Sequence, residues 1–261
     1  MSEAVLFERH GATLVITLNR PERRNAVDYA MSQAIAAALD TLDAEAELRV
    51  GIITGAGGSF CSGMDLKAFV AGSRPEVEGR GFGGLTEAPP AKPLIAAVEG
   101  YALAGGCEMA LACDMIVAAD DASFGLPEVT RGLVAGSGGL SRLVRRIPPG
   151  IAMEYALTGR HLAAREGHRL GLVNRLTAPG EALAGALALA AEIAANAPLA
   201  TMASKRIMIK SADWTAAEQW DRQRPLVDAV LATHDAQEGA RAFDHNALAR
   251  HRRQRGVGSD C

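Results

Sequence analysis

Residues 92–114 read Lys92-Pro-Leu-Ile-Ala-Ala-Val-Glu-Gly-Tyr-Ala-Leu-Ala-Gly-Gly-Cys-Glu-Met-Ala-Leu-Ala-Cys-Asp114; a second apolar run, Met115 to Ala119, follows, and then Ser123-Phe-Gly-Leu-Pro-Glu128. Pro93 to Val98 is a short apolar run bounded by Pro and Gly, as a buried strand requires. Cys107 to Cys113 is rich in Ala, Leu and Met, which favours a helix. Gly105 and Gly106 therefore fall at a strand-to-helix junction. Glycine lets the backbone approach a ligand closely there, and the first turn of the helix aims unpaired N–H groups at the same point. A junction of this kind suits an oxyanion.

Glu108 stands near the start of this apolar helix, and Glu128 follows a proline twenty residues later. Burying a carboxylate is costly unless it is hydrogen-bonded, protonated or functional. The residues alone leave two readings open. In one, Glu108 packs against an arginine and Glu128 caps a turn. In the other, the two form an acid/base pair.

Toward the N-terminus, Val5 to Arg9 and Thr13 to Leu18 have hairpin spacing around His10-Gly-Ala12, and Pro21 to Asn25 is turn-forming. Ala26 to Leu42 carries apolar residues at helical spacing (Met31, Ile35, Leu39, Leu42), and Val50 to Thr54 reads as a strand of a parallel, doubly covered sheet. Phe60-Cys-Ser-Gly-Met-Asp-Leu-Lys67 is a second glycine turn opening a short helix that ends near Gly72, so two turns offer donors to one hole. Ser73 to Pro90 is glycine-rich and reads as a mobile loop or lid, a natural wall for a pocket.

Beyond Glu128 the cluster Gly136-Ser-Gly-Gly139 precedes a helix from Leu140 to Arg146. It matches neither the Walker pattern nor a dinucleotide fingerprint, and no strand-to-helix elbow surrounds Ser137. From Ile151 onward the periodicity is helical, with a last helix over Ala236 to Ala249 and no comparable strand pattern after Val173. The layout divides the chain into an α/β core over residues 1–195 and a C-terminal helical region over residues 196–261 suited to an oligomer interface.

The chain has 261 residues, 49% hydrophobic and only 4% aromatic, so its core is aliphatic. A formal net charge of −3 gives no global field for nucleic acid or an anionic membrane, although Arg250 to Arg255 is locally basic. Cys61, Cys107, Cys113 and Cys261 form no Cys-x-x-Cys pair and have no partnering His, so neither a metal site nor a disulfide framework is expected. The six histidines fall in no motif. With no signal peptide at the N-terminus and no apolar run long enough for a bilayer, the expected location is cytoplasmic.

Five marks in order resemble the crotonase superfamily, the enoyl-CoA hydratase/isomerase family, from about Val5 to Ala249. They are Asn19-Arg-Pro followed by Asn25-Ala26, Phe60 to Lys67, Ala104-Gly-Gly-Cys-Glu108, Ser123 to Glu128, and Gly136 to Gly139. The resemblance implies an α/β spiral of β-β-α turns with a C-terminal helical trimerisation region, assembled as a homotrimer or a dimer of trimers. It also implies an acyl-CoA substrate, coenzyme A being part of that substrate rather than a separate cofactor.

Carried over residue by residue, the resemblance puts an oxyanion hole at the backbone N–H groups of Met64 and Gly105 and the two catalytic acids at Glu108 and Glu128. Members with other chemistries commonly lack one of this pair. Arg24, Asn25 and Ala26, with Asp65, Leu66 and Lys67, are the expected contacts for CoA; the Gly136 N–H is expected to face the catalytic water, and Phe243 to reach a neighbouring subunit's CoA. Two departures stand out. Ala135 replaces a common Pro, and Asn246 stands about where relatives carry a Lys, leaving Arg250 or Arg252 as substitutes.

The leading expectation is a hydratase that adds water across the 2,3 double bond of an enoyl-CoA. An isomerase of the same family is the second enzyme reading, against which Glu108 argues, since such isomerases often rely on the later acid alone. A non-catalytic acyl-CoA- or RNA-binding member is the third. Balanced charge and the lack of aromatic platforms weigh against nucleic acid.

Overall fold

The computed structural model describes residues 3–244, with side chains through residue 242. The chain opens with the hairpin β1 (Val5–His10) and β2 (Thr13–Leu18), turned at Gly11. Helix α1 (Tyr29–Ala44) is capped by Asp28, whose side chain accepts the Met31 N–H at 3.0 Å. It starts three residues later than the periodicity from Ala26 suggests. Residues 25–27 have other work: Asn25 is fully buried and bonded, and Val27 forms a parallel bridge to Met64.

Strand β3 (Val50–Gly55) leads to α2 (Leu66–Val70) and a small hairpin, β4 (Glu76–Val77) with β5 (Gly81–Phe82). Next come β6 (Leu94–Val98), β7 (Tyr101–Leu103), α3 (Gly105–Ala112), β8 (Met115–Ala119) and β9 (Ser123–Gly125). A 3-10 turn over Pro127–Arg131 precedes α4 (Gly139–Arg146), α5 (Pro149–Thr158), β10 (Leu162–Ala163), α6 (Ala164–Arg169) and β11 (Arg175–Thr177). Helices α7 (Ala182–Ala194), α8 (Pro198–Lys210), α9 (Gln219–Leu231) and α10 (His234–Asp244) complete the described residues.

The main sheet has the order β1-β2-β3-β6-β8-β11 and is parallel from β2 onward. A second layer runs β10-β9-β7, and Cys61 extends it through a parallel bridge to Ala102. Successive turns of the chain thus lay one strand in the main sheet, one short strand in the second layer and then a helix, which is the β-β-α spiral. The main strands are covered on both faces. Ile53, Ala96 and Ile116 face the larger core under α1 and α3, whereas Ile52, Ile95 and Val117 meet Ala182, Ala186 and Ala190 of α7. Double coverage is why these strands read as unbroken apolar runs rather than alternating ones.

Three expectations need correction. The short strands β7, β9, β10 and β11 have no counterpart in the sequence pattern, because two or three residues give no measurable period. Part of the expected mobile loop from Ser73 to Pro90 is a packed wedge: Phe82, Leu85 and Thr86 are buried. A Cβ on Gly83 would lie 2.7 Å from the Met109 sulfur, and one on Gly84 2.3 Å from the Ser32 carbonyl oxygen. The glycines let this segment slot between α1 and α3, so they serve close approach rather than mobility. The last helix begins at His234, and its expected continuation from His245 to Ala249 lies outside the described residues, as do Asn246, Arg250, Arg252 and the side chain of Phe243.

Helix α8 is tied to the core by Lys205, whose Nζ donates to the Pro90 and Lys92 carbonyls at 2.8 and 2.9 Å and pairs with Asp114 at 2.7 Å. Among the described residues no single helix is long and apolar enough to cross a membrane.

Candidate active site

The two glycine turns lie side by side. Cys61 donates to the Tyr101 carbonyl at 2.9 Å and accepts from the Leu103 N–H at 3.0 Å, so the second layer sets the turn after Cys61 against the turn after Leu103. A Cβ on Gly63 would be 3.2 Å from the Gly105 nitrogen, and one on Gly106 would be 2.3 Å from the Cys61 carbonyl oxygen. Only glycine allows this contact.

Each turn aims an N–H outward. Val27 donates to the Gly63 carbonyl at 2.8 Å and accepts from Asp65 at 2.9 Å, which leaves the Met64 N–H pointing away from Val27. Ala104 holds φ +50° and ψ −128°, a conformation usually left to glycine, at a cost of about 1–3 kcal/mol. That twist starts α3 at Gly105, whose N–H has no intrahelical acceptor. Neither N–H meets an acceptor among the described residues. The Phe82 ring packs against the other side of Gly105, its Cζ 2.4 Å from where a Cβ would stand.

Arg20 fixes the first turn from behind, a role that sequence reasoning missed. Its half-buried guanidinium donates to the Ala26 carbonyl at 2.8 Å and pairs with Asp28 at 2.9 Å and Asp65 at 2.8 Å. Asp65 also caps α2, accepting from the Lys67 and Ala68 N–H groups. Burial opposes the Asp65 charge, but Arg20, the Ala68 N–H and Arg23 outweigh it and hold the carboxyl below the usual range. The sequence signal for Arg20 is its place in the Asn19-Arg-Pro mark after β2, which says nothing of the carboxylates it pairs with.

Glu108 is buried on the first turn of α3, and one of its oxygens accepts from the Ser137 N–H at 2.7 Å and the Gly139 N–H at 2.9 Å. A Cβ on Gly139 would crowd it at 3.0 Å. Burial pushes the Glu108 carboxyl up, while those two N–H groups and the Arg142 charge pull against the rise. Glu128 lies on the 3-10 turn after Pro127 with its Oε2 buried and unpartnered. Burial and the Glu108 charge, opposed only by its own N–H, raise its carboxyl to about 6. Two carboxylates that share a field, one supported by backbone donors and the other nearly bare, are held in different states of readiness to carry a proton.

The family model for enoyl-CoA hydratase/isomerase matches residues 8–250. The chain belongs to that family. It is 45% identical to a carnitinyl-CoA dehydratase of Salmonella arizonae, over 93% of this chain and 96% of that protein. The solved enoyl-CoA hydratase of Mycobacterium tuberculosis superposes with a TM-score of 0.94 at 55% identity, covering 96% of this chain and 99% of that one. A carnitinyl-CoA dehydratase of Mycobacterium avium superposes with a TM-score of 0.77 at 43% identity, covering 93% and 98%. The chain is thus an enzyme of this family, a hydro-lyase with the crotonase fold.

The residues that the family resemblance marks for CoA divide in two. Arg24, in a left-handed conformation, and Lys67 are exposed on either side of the Met64 turn, Arg24 being tied to that turn by the Ser62 N–H, which donates to its carbonyl at 3.0 Å; Leu66 is half exposed. Asn25, Ala26 and Asp65 are instead committed inward. The Asn25 amide donates to the Ala56 and Ser59 carbonyls at 2.9 and 2.7 Å and accepts from the Arg20 N–H at 2.9 Å. The Ala26 carbonyl is taken by Arg20. Around Glu108 the N–H groups of Ser137 and Gly139 reach the carboxylate, and Gly136, expected to face the catalytic water, is the exposed residue that precedes them. Cys61 and Cys107 are fully interior, and burial pushes both thiols up to about 12, which leaves no thiolate near neutral pH. Among the described residues no group of three or more His, Cys, Asp or Glu is arranged to hold a metal ion.

Proposed function

We propose that this enzyme adds water reversibly across the 2,3 double bond of an enoyl-CoA thioester. The observation that carries the reading is the convergence of the unequal carboxylates Glu108 and Glu128 beside two outward N–H groups. The thioester oxygen binds the Met64 and Gly105 N–H groups, which stabilise the enolate more than the neutral carbonyl. Glu108, as carboxylate, takes a proton from water as its oxygen attacks C3; Glu128, as carboxylic acid, gives a proton to C2. Substrate binding excludes water and raises Glu128 further, toward the acid form this step needs. Arg24 and Lys67 flank the entrance as contacts for the CoA phosphates. Asn25, Ala26 and Asp65 hold the turn rather than the ligand.

The acyl group is the open specificity, and the likeness to carnitinyl-CoA dehydratases favours a second form of the same chemistry, removal of the 3-hydroxyl from a carnitinyl thioester. The test compares hydration of crotonyl-CoA and a longer 2-enoyl-CoA with dehydration of carnitinyl-CoA, in the parent and in Glu108→Gln and Glu128→Gln. Each substitution is expected to lower kcat by about 10²–10⁴ on the preferred substrate with little change in KM. A folded parent that binds acyl-CoA but neither hydrates nor dehydrates any of them sinks the reading, and shifting of a 3-enoyl double bond then identifies an isomerase.

The assembly proposed is a homotrimer or dimer of trimers joined through the helices of residues 196–261, with residues 1–195 as the catalytic core. Met208, Ile209, Trp220 and Leu231 on α8 and α9 are more than half exposed, which favours a covering partner.

A further inference from the structure

Arg142 sits on the first turn of α4, half-buried, and makes no ion pair among the described residues. Its two bonds go to carbonyl oxygens: Nη2 donates to Thr86 at 2.5 Å and Nη1 to Ser137 at 3.4 Å. Thr86 ends the wedge whose Phe82 packs on Gly105, and Ser137 opens the turn whose N–H groups hold Glu108. Gly138, at φ +90°, leaves the space that the guanidinium fills, since a Cβ there would lie 2.2 Å from Nη1. The two Nη groups of the planar fork take one carbonyl each, in a fixed geometry that the rotatable point charge of a lysine does not impose.

We propose that Arg142 is a positioning residue that straps the 81–87 wedge to the 137–139 turn and sets a fixed positive charge behind the Glu108 carboxylate. The inference rests on the reading of Glu108 as the base that activates water. The strap joins the two halves of the site, because one end steadies the ring packed on the oxyanion glycine and the other steadies the base. Arg142 stays cationic despite its burial. The other ionisable groups facing Glu108 are Glu128 on the 127–131 turn and the neutral Cys107 on α3; Arg145 and Arg146 lie farther along α4 and act on Arg142. From the wedge, Arg142 meets the uncharged Thr86, and the one charged residue of that segment, Glu87, is exposed.

The experiment measures kcat and kcat/KM against pH for the substrate the parent turns over, with Arg142→Gln, Arg142→Lys and Glu108→Gln beside it. Arg142→Gln keeps a donor for the Thr86 carbonyl but removes the charge. It is expected to fold, to move the acid limb of kcat/KM up by about one pH unit and to lower plateau kcat about 10–100-fold, with KM within about threefold. Arg142→Lys keeps the charge, so its acid limb stays within roughly 0.3 pH unit of the parent while kcat falls with the lost fork. If Glu108→Gln abolishes turnover and Arg142→Gln leaves the acid limb in place, the proposal is overturned and Arg142 is merely structural. It is overturned equally if the lysine variant shifts the limb as far as the glutamine variant. If Glu108→Gln retains parental rates, the base assignment itself has failed, a signature distinct from either.

Discussion

Glu128, proposed as the acid, shows what a buried carboxyl without a donor costs the protein that holds it. Its carboxyl is raised to about 6 against an ordinary 4.5, because folding strips water from it and leaves Oε2 without a donor. A group raised on folding contributes its full stability below the unfolded value, and that contribution is lost as pH rises through 6. Glu128→Gln removes the ionisation and with it the loss. The variant is therefore expected to exceed the parent in unfolding free energy by roughly 1–2 kcal/mol at about pH 8, with the gap closing toward about pH 4. Urea titrations at the two pH values check this. An equal gap at both would trace the effect to packing instead. Glu108, Glu128 and Gly105 were legible as candidates from the residues around them, and Met64 through the family resemblance. The partners that ready them were not, because Arg142, Ser137 and Gly139 act on Glu108 from a later turn of the chain, Ser137 and Gly139 from 29 and 31 positions away.

Between residues and the whole chain, the turns rather than the helices set the geometry of the site. The turn over residues 20–28 is closed by Asn25, whose three hydrogen bonds tie β2 to the loop after β3, and Val27 carries the Met64 turn. Asn25→Ala would leave the Ala56 and Ser59 carbonyls and the Arg20 N–H unpaired in the interior. A loss of about 3 kcal/mol is expected, read by chemical denaturation. The oxyanion site should suffer too, with kcat falling more than KM rises, since the Met64 N–H is aimed through this turn. A rate unchanged in the folded fraction would separate the turn from the hole. Short second-layer strands have the same importance and left no trace in the sequence pattern. Residues 101–103 position Gly105 because they pair with Cys61 and β9, and pairing partners are not visible in a three-residue run.

At the scale of the molecule, α7 completes the core by covering the far face of the main sheet, whereas α8 and α9 leave large apolar side chains in the open. Met208 is 76% exposed and Trp220 63% exposed, more than a lone monomer needs to leave uncovered. Sedimentation of the full chain is expected to give three or six copies per particle, and a Met208→Glu/Trp220→Glu double variant to shift it toward smaller species. Parent sedimentation as a single copy at micromolar concentration would remove the assembly from the reading.

The amino-acid sequence by itself determined the strand and helix of the 92–114 stretch and both glycine turns and marked Glu108 and Glu128 as candidates, because each rests on local chemistry: apolar period, glycine freedom and the expense of a carboxylate on a greasy helix; the spiral class entered through the family resemblance that these motifs carry in order. Tertiary structure alone decided that the two turns touch, that the supposed lid over Ser73 to Pro90 is in part a wedge, and that the side chains of Asn25 and Asp65 are bonded inward. These depend on which distant backbone groups arrive with unmet hydrogen bonds or free space, and such partners are supplied only when separate turns of the spiral stack.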